Sequence, residues 1–141
     1  MTATYVTVTT ILLASAHPIL RNSLRSLLER EPDFRVIAEA ASGREAVVLA
    51  DYKRPHVVLL DVKMAHLAGL PSAREILSRS PGTAIVFVTA ETDEVYVSEA
   101  MKTGARAYVS ADTAQSDLVP AIHAVAEGRT FLSPSIRSKQ D

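Results

Sequence analysis

Three polar residues follow apolar runs that have the length of buried strands. Asp61 ends the run VVLLD, Thr89 lies near the end of AIVFVTA, and Ser15 follows ILLA. Short runs of branched apolar residues predict strands in a protein interior. A carboxylate and hydroxyls at the ends of such strands can bind a ligand or a cation. Taken alone, Asp61 also fits a carboxylate that caps the next loop, and Thr89 fits an ordinary strand threonine.

The elements that position these residues alternate along the chain. Each apolar run is followed by a segment with helical spacing, as in the leucines of residues 20–28. Ser42 and Glu45 form a capping-box signature at the start of the second helix. Five strand and helix pairs predict an α/β protein with a parallel sheet covered on both faces. Asp61 ends one of these strands and is therefore expected at the carboxyl edge of the sheet. Ligands bind at this edge in parallel sheets of this kind.

Length and composition favour one domain and exclude several kinds of site. We expect an N-terminal extension over residues 1–10, a domain over residues 11–128, and a C-terminal tail or linker start over residues 129–141. The chain has no cysteines, which excludes disulfides, thiolate metal sites and a cysteine nucleophile. Its formal charge of -1 does not indicate the positively charged surface that is typical of proteins that bind nucleic acid. The sequence has no apolar run long enough to span a membrane and no signal peptide pattern, so we expect a cytoplasmic protein.

Longer segments of the chain resemble a known family. The segments are HPILRNSLRSLLEREPDFRVIAEAASGREAV, RPHVVLLDVKMAHLAGL, PGTAIVFVTA, EAMKTGARAYVSAD and AIHAVAEGRTFLSP. In this order they resemble the receiver domain of bacterial two-component response regulators, and most closely the regulators that carry a LuxR-type helix-turn-helix domain. The resemblance runs from about residue 11 to residue 134. It implies a flavodoxin-like (βα)5 fold, doubly wound, with a five-stranded parallel sheet in the order 2-1-3-4-5.

The resemblance also implies roles for individual residues. Asp61 matches the aspartate that accepts a phosphoryl group from the histidine of a sensor kinase. Thr89 and Tyr108 match the two switch residues, one of which hydrogen-bonds the phosphoryl oxygens while the other changes rotamer. The backbone carbonyl of Lys63 matches a ligand of Mg²⁺.

The chain departs from the family pattern at the positions that handle charge. The family has two adjacent acidic residues after the first strand, where this chain has Ser15 and Ala16. It has a lysine three positions after the switch aromatic, where this chain has Ala111. Asp61 is thus the one acidic metal ligand retained, and the site offers the hard Mg²⁺ ion one negative charge where the family offers about three. We therefore expect neither a bound magnesium ion nor another cofactor.

These observations predict a receiver domain that is not an enzyme and whose Mg²⁺-dependent phosphorylation at Asp61 is impaired. It would regulate transcription through a partner or an attached DNA-binding domain, without binding DNA itself. The expected partners are a sensor histidine kinase or another signalling protein. A second copy could also bind through the face of the fourth helix, fifth strand and fifth helix. That face includes an exposed subset of Val95, Tyr96, Met101, Lys102, Tyr108 and Ile122.

Two alternatives stay open at this point. Asp61 could still be phosphorylated as in an ordinary switch. The chain could instead be a small flavodoxin-like enzyme that binds flavin or another phosphate-bearing ligand at the same edge. The sequence has no glycine-rich phosphate loop and no G-x-S-x-G motif, and its four histidines lack metal-binding spacing, all of which argue against the enzyme.

Overall fold

The computed structural model describes residues 7–62 and 69–136. The strands are β1 (Thr9–Ala14), β2 (Phe34–Ala40), β3 (Val57–Leu60), β4 (Ala84–Thr89), β5 (Ala107–Ser110) and β6 (Phe131–Leu132). The helices are α1 (Pro18–Glu29), α2 (Gly43–Lys53), α3 (Gly69–Arg79), α4 (Glu94–Lys102) and α5 (Ala114–Ala126). Among these described residues, no helix combines the length and the apolar character that crossing a membrane requires.

The strands form one parallel sheet in the order β2-β1-β3-β4-β5-β6. The α/β class, the parallel pairing and the order of the first five strands confirm the prediction. The predicted number of five strands is wrong, because residues 131–132 add a sixth strand beside β5. A strand of two residues is too short to show an alternating pattern, and sequence periodicity therefore could not indicate it.

The helices cover the sheet from both sides and divide the core into two clusters. Helices α2, α3 and α4 enclose one cluster, in which Ala46, Ile76 and Val97 are at most 1% exposed. Helices α1 and α5 enclose the other, which includes Leu28 and Leu118. Burial of apolar side chains on both faces of the strands explains why β1, β3 and β4 read as continuous apolar runs.

A β-bulge in β2 changes the direction of its side chains. Ile11 pairs with Val36 and Leu12 pairs with Ala38, so the ladder skips Ile37. One extra residue moves every later side chain to the opposite face of the sheet. Glu39 consequently lies on the side of α1, where arginines of that helix reach it.

The strands extend beyond both ends of the predicted domain, residues 11–128. Strand β1 includes Thr9 and Thr10, which the sequence assigned to the N-terminal extension. Residues 131–132 pair with β5 and Ile136 is 1% exposed, so part of the predicted tail packs onto the domain. Residues 1–6 and 137–141 lie outside the described residues.

Candidate functional site

The predicted site residues meet at the carboxyl edge of the sheet. Asp61 directly follows β3, and Thr89 is the last residue of β4. Ser15 follows β1, whose last residue Ala14 pairs with Leu60. The side chains are buried, with exposures of 5% for Asp61, 1% for Thr89 and 1% for Ser15. The edge therefore holds one carboxylate and two hydroxyls in surroundings with little access to water.

Ser15 is held by its own loop. Its hydroxyl accepts a hydrogen bond from the backbone N–H of His17 at 3.1 Å. Its backbone carbonyl accepts one from the guanidinium of Arg21 at 2.6 Å. The neighbouring Ala16 packs against the apolar cluster of α2, α3 and α4. Through these contacts, Ser15 and Ala16 stabilise the turn that leads into α1.

An ionic network beside this turn was missed by sequence reasoning. Arg21 donates to Glu39 at 3.1 Å, and Arg25 also contacts the carboxylate of Glu39. The hydrogen bond of Arg25 to Glu29, followed by that to Glu39, raises the pKa of its guanidinium. Glu39 lies 18 residues from Arg21, and the bulge in β2 aims it at α1. The sequence shows no signal for such a bulge, so the network could not be found from spacing.

Thr89 and Tyr108, which the resemblance predicts to be switch residues, both contact Glu91 in the loop between β4 and α4. The hydroxyl of Thr89 accepts a hydrogen bond from the backbone N–H of Glu91 at 3.2 Å. The hydroxyl of Tyr108 donates to the backbone carbonyl of Glu91 at 2.5 Å. Tyr108 is 0% exposed and belongs to the core. Glu91 thus connects the end of β4 with Tyr108 inside β5.

Tyr108 is also coupled to the site through charge. Burial raises the pKa of its hydroxyl well above 10.0, and the negative charges of Glu91, Asp61 and Asp93 raise this pKa further. A buried phenol is harder to ionise because its anion loses hydration and is repelled by nearby carboxylates. Tyr108 therefore remains a hydrogen-bond donor to Glu91 throughout the neutral pH range.

The position of the family's lysine contains no cation. Ala111 begins a short 3-10 turn between β5 and α5 and is half-buried. The preceding residue, Ser110, caps this turn by accepting from the N–H of Asp112 at 3.3 Å. The substitution leaves the local backbone regular while it removes an ammonium group.

Among the described residues, the positions that the resemblance assigns to a magnesium ion keep one of three carboxylates and fit the ion poorly. Mg²⁺ requires near-octahedral oxygen ligands and is usually held by one or two carboxylates with water or phosphate. Of the three acidic positions that the resemblance assigns to the metal, Asp61 alone carries a carboxylate, since Ser15 and Ala16 occupy the others. The Ser15 hydroxyl already accepts from His17. The predicted carbonyl ligand of Lys63 lies outside the described residues.

Gly69 brings α3 against the end of β3. A Cβ atom on this residue would lie 2.2 Å from the backbone oxygen of Asp61 and 2.9 Å from the Cα atom of Val62. Real Cβ atoms do not approach other heavy atoms so closely, and only glycine fits without a shift of the backbone. The start of α3 therefore fixes the backbone of Asp61.

With this geometry in place, comparison with known proteins identifies the family. The model of the response regulator receiver domain matches residues 11–123. The chain belongs to this family of two-component signalling domains. Asp61 and Thr89 lie at the carboxyl edge of the sheet, and Tyr108 lies within β5, in a fold that the family shares.

Individual relatives extend this result to regulators of the LuxR family. The transcriptional regulatory protein YxjL of Bacillus subtilis is 33% identical over 92% of this chain and 64% of its own length. The nitrate/nitrite response regulator protein NarL of Escherichia coli K12 is 34% identical over 90% of this chain and 59% of its own length. A crystal structure of a LuxR-family two-component response regulator from Aurantimonas sp. SI85-9A1 superposes with a TM-score of 0.90, at 32% identity and with 94% of each chain covered. The chain thus spans roughly three fifths of the length of these two curated relatives.

Proposed function

We propose that this chain is an atypical receiver domain in two-component signal transduction, with impaired Mg²⁺-dependent phosphorylation at Asp61. It is a signalling module that acts through protein contacts, and it does not act as an enzyme. It regulates transcription through a partner or through a DNA-binding domain outside residues 1–141. The names of YxjL, a transcriptional regulatory protein, and of NarL, a response regulator protein, support this role.

The observation that carries the proposal is the set of charged groups at the edge of the sheet. Phosphoryl transfer depends on positioning and on neutralising the charge of the phosphoryl oxygens. Ser15, Ala16 and Ala111 remove two anions that would hold a metal and one cation that would pair with the phosphoryl group. If the metal and the lysine each contribute roughly 3 kcal/mol, losing both slows transfer on the order of 10⁴-fold.

The contacts of the switch residues support a module that holds one state without phosphate. The Thr89 hydroxyl and the Tyr108 hydroxyl both bind the backbone of Glu91. The Tyr108 hydroxyl has donated its one hydrogen and must give up this bond before the side chain changes rotamer, whereas the Thr89 hydroxyl accepts from Glu91 and can still donate its own hydrogen. A signal to this domain would then act by changing these contacts through a bound protein.

Intact-protein mass spectrometry after incubation with acetyl phosphate and Mg²⁺ tests the proposal. The wild-type chain is expected to keep its mass, because its edge cannot neutralise the incoming phosphoryl group. The variant Ser15→Asp/Ala16→Asp/Ala111→Lys restores the two acids and the lysine. It is expected to gain the mass of one phosphoryl group.

The substitution Asp61→Asn is the control in both the triple variant and the wild-type chain. Adding Asp61→Asn to the triple variant should abolish the gain in mass, since the amide cannot accept the group. Rapid phosphorylation of the wild-type chain that Asp61→Asn abolishes would refute the proposal. That result would establish the ordinary phosphorylated switch in its place.

The partner proposals rest on membership of the family. A sensor histidine kinase, or another signalling protein that takes its place, is the proposed input, and the cytoplasm is the proposed location. A second copy is proposed to bind through the face of α4, β5 and α5. Within the described part of this face, Val95 is 67% exposed and can contact a second copy. Tyr108 and Ile122 are 0% exposed and cannot make such a contact.

A further inference from the structure

Three side chains that can bind a metal ion converge at the amino edge of the sheet, the edge opposite to Asp61. Asp33 directly precedes β2, Glu31 lies in the loop between α1 and β2, and His123 lies in the last turn of α5. One carboxylate oxygen of each acid and one ring nitrogen of His123 all lie within 4.8 Å of one another. His123 is separated from Asp33 by 90 residues along the chain. The fold therefore brings this set together.

Hydrogen bonds fix the backbone that carries the two acids. The N–H of Glu31 donates to the carbonyl of Leu28 at 3.0 Å, and the carbonyl of Glu31 accepts from the N–H of Phe34 at 3.2 Å. The carbonyl of Asp33 accepts from the N–H of Thr9 at 2.8 Å. The loop that presents the two carboxylates is thus tied to both α1 and β1.

Two contacts orient the imidazole of His123 toward this loop. The ring packs against the ring of Phe34, with centroids 4.9 Å apart. Its Nε2 atom lies 2.9 Å from the Oδ2 atom of Asp33. The nitrogen that faces the carboxylates is one of the two imidazole atoms that bind metal ions in proteins. Helix α5 therefore presents a nitrogen ligand to a pair of oxygen ligands.

The two carboxylates carry more negative charge than their described partners neutralise. His123 forms an ion pair with Asp33 when it is protonated, and no arginine or lysine in the described part of the chain forms one with Asp33 or Glu31. Glu31 also follows the C-terminus of α1, and His123 lies near that of α5. The C-terminal end of a helix carries a partial negative charge. The acids and both helix ends thus favour a cation at this point.

We propose that Glu31, Asp33 and His123 form a binding site for a divalent transition metal ion, for which Zn²⁺ is the matching ion. Zinc takes imidazole nitrogen and carboxylate oxygen as ligands, and three protein ligands leave a fourth position for water. Mg²⁺, which takes oxygen ligands, fits this set less well. The site lies at the opposite edge of the sheet from Asp61 and does not depend on phosphorylation.

The ligand atoms need a small movement to enclose the ion. Ligands about 2.1 Å from a tetrahedral ion lie roughly 3.4 Å from one another. The three ligand atoms now lie within 4.8 Å of one another, and all three side chains are half-buried. Rotation of these side chains is enough to close the difference, because none of them is enclosed by the core.

The ion cross-links α5 to the loop before β2. It takes the place of the proton between His123 and Asp33, so the lone pair of Nε2 faces the ion and the ring proton is on Nδ1. A site made of one histidine and two acids from distant segments contains no pair of histidines. The spacing of the histidines, which argues against sites built from such pairs, therefore does not reveal it.

Calorimetric titration of the full chain with Zn²⁺ tests the proposal. The wild-type chain is expected to bind one Zn²⁺ ion at a saturable site. His123→Gln and Glu31→Gln should each weaken this binding at least about tenfold, since losing even an outer partner of a metal site costs that much. Glu31→Gln keeps the contact between His123 and Asp33, and it therefore separates a metal site from a simple ion pair.

His17→Gln is the matched control, because His17 is an exposed histidine at the start of α1. It should bind Zn²⁺ like the wild-type chain. Thermal unfolding gives a second measurement, since an ion that binds the folded state raises the unfolding midpoint. Zn²⁺ should raise the midpoint of the wild-type chain and of His17→Gln more than that of Glu31→Gln. Without Zn²⁺, Glu31→Gln should unfold at the wild-type temperature, which shows that its fold is intact.

Three results would overturn the inference. The first is a wild-type chain without saturable binding up to millimolar Zn²⁺. The second is binding that is equally tight in the wild-type chain, His123→Gln and Glu31→Gln, which would mean an adventitious ion only. The third is binding that Asp61→Asn abolishes, because the ion would then be bound at the carboxyl edge of the sheet.

Discussion

Tyr108 places a polar hydroxyl at a position that has no exposure to solvent. One hydrogen bond to the carbonyl of Glu91 satisfies this hydroxyl, and the ring packs near Phe87 with centroids 6.1 Å apart. Removing the hydroxyl leaves a backbone carbonyl without this partner, which costs about 1 kcal/mol for a typical buried hydrogen bond. The contribution of Tyr108 to stability should therefore depend on its protonation.

The pH dependence of unfolding measures this contribution. The pKa of Tyr108 is raised in the folded state above the ordinary value of 10.0. Above pH 10 the unfolded chain releases this proton before the folded chain does, so the free energy of unfolding falls as the pH rises. Tyr108→Phe should lower the free energy of unfolding near neutral pH and make its decline above pH 10 less steep in urea titrations.

Tyr52→Phe is the matched control because the Tyr52 side chain is 80% exposed. It should leave the free energy of unfolding near the wild-type value at neutral pH. An equally steep alkaline decline in Tyr108→Phe and in the wild-type chain would contradict the proposed burial of this hydroxyl.

At the level of residues, the sequence predicted which positions meet but not how they are bound. The ends of parallel strands share one edge, and Asp61, Thr89 and Ser15 accordingly meet there. The bonds of Thr89 and Tyr108 to Glu91 depend on the path of a loop, which no periodic pattern describes. The network of Arg21 and Glu39 depends on the bulge in β2, and side-chain spacing gives no sign of it.

At the level of elements, α3 begins so close to β3 that the first residue of the helix has no room for a side chain. Gly69→Ala would press a methyl group against the backbone of Asp61 and Val62. Overpacking of this kind costs about 1–3 kcal/mol. We expect the urea midpoint of Gly69→Ala to fall by a corresponding amount and the amides of residues 60–62 to exchange faster.

Gly82→Ala is the control for this substitution. A Cβ atom on Gly82 would have no neighbour within 4 Å, and its backbone is not in the left-handed region. Its stability should match that of the wild-type chain within about 0.5 kcal/mol, as for most surface substitutions. Equal stability of the two alanine variants would contradict the close approach of α3 to Asp61.

The predicted elements differ in how well the sequence specified them. Ser42 caps α2 as its spacing with Glu45 predicted, accepting from the N–H of Glu45 at 3.1 Å, while the Glu45 carboxylate accepts from the N–H of Ala41 at 2.8 Å. Long apolar or periodic segments therefore specify their own structure. Strand β6 and the burial of Ile136 depend on contacts made by the folded sheet, and residues 129–136 carry no comparable local pattern.

At the level of the whole molecule, the fold of a receiver is retained while the charges of its site are altered. The two apolar clusters and the parallel sheet form without a charged residue at positions 15, 16 and 111. The fold therefore does not depend on the charged groups that the family pattern places at positions 15, 16 and 111. The proposed impairment of phosphorylation depends on whether Asp61 can hold a metal ion without acidic neighbours.

Calorimetric titration with Mg²⁺ tests that claim most directly. The wild-type chain is expected to show no saturable binding at millimolar Mg²⁺, because Asp61 is one negative charge where the family pattern places three. Ser15→Asp/Ala16→Asp should show saturable binding under the same conditions. Saturable binding to the wild-type chain that Asp61→Asn abolishes would contradict the account.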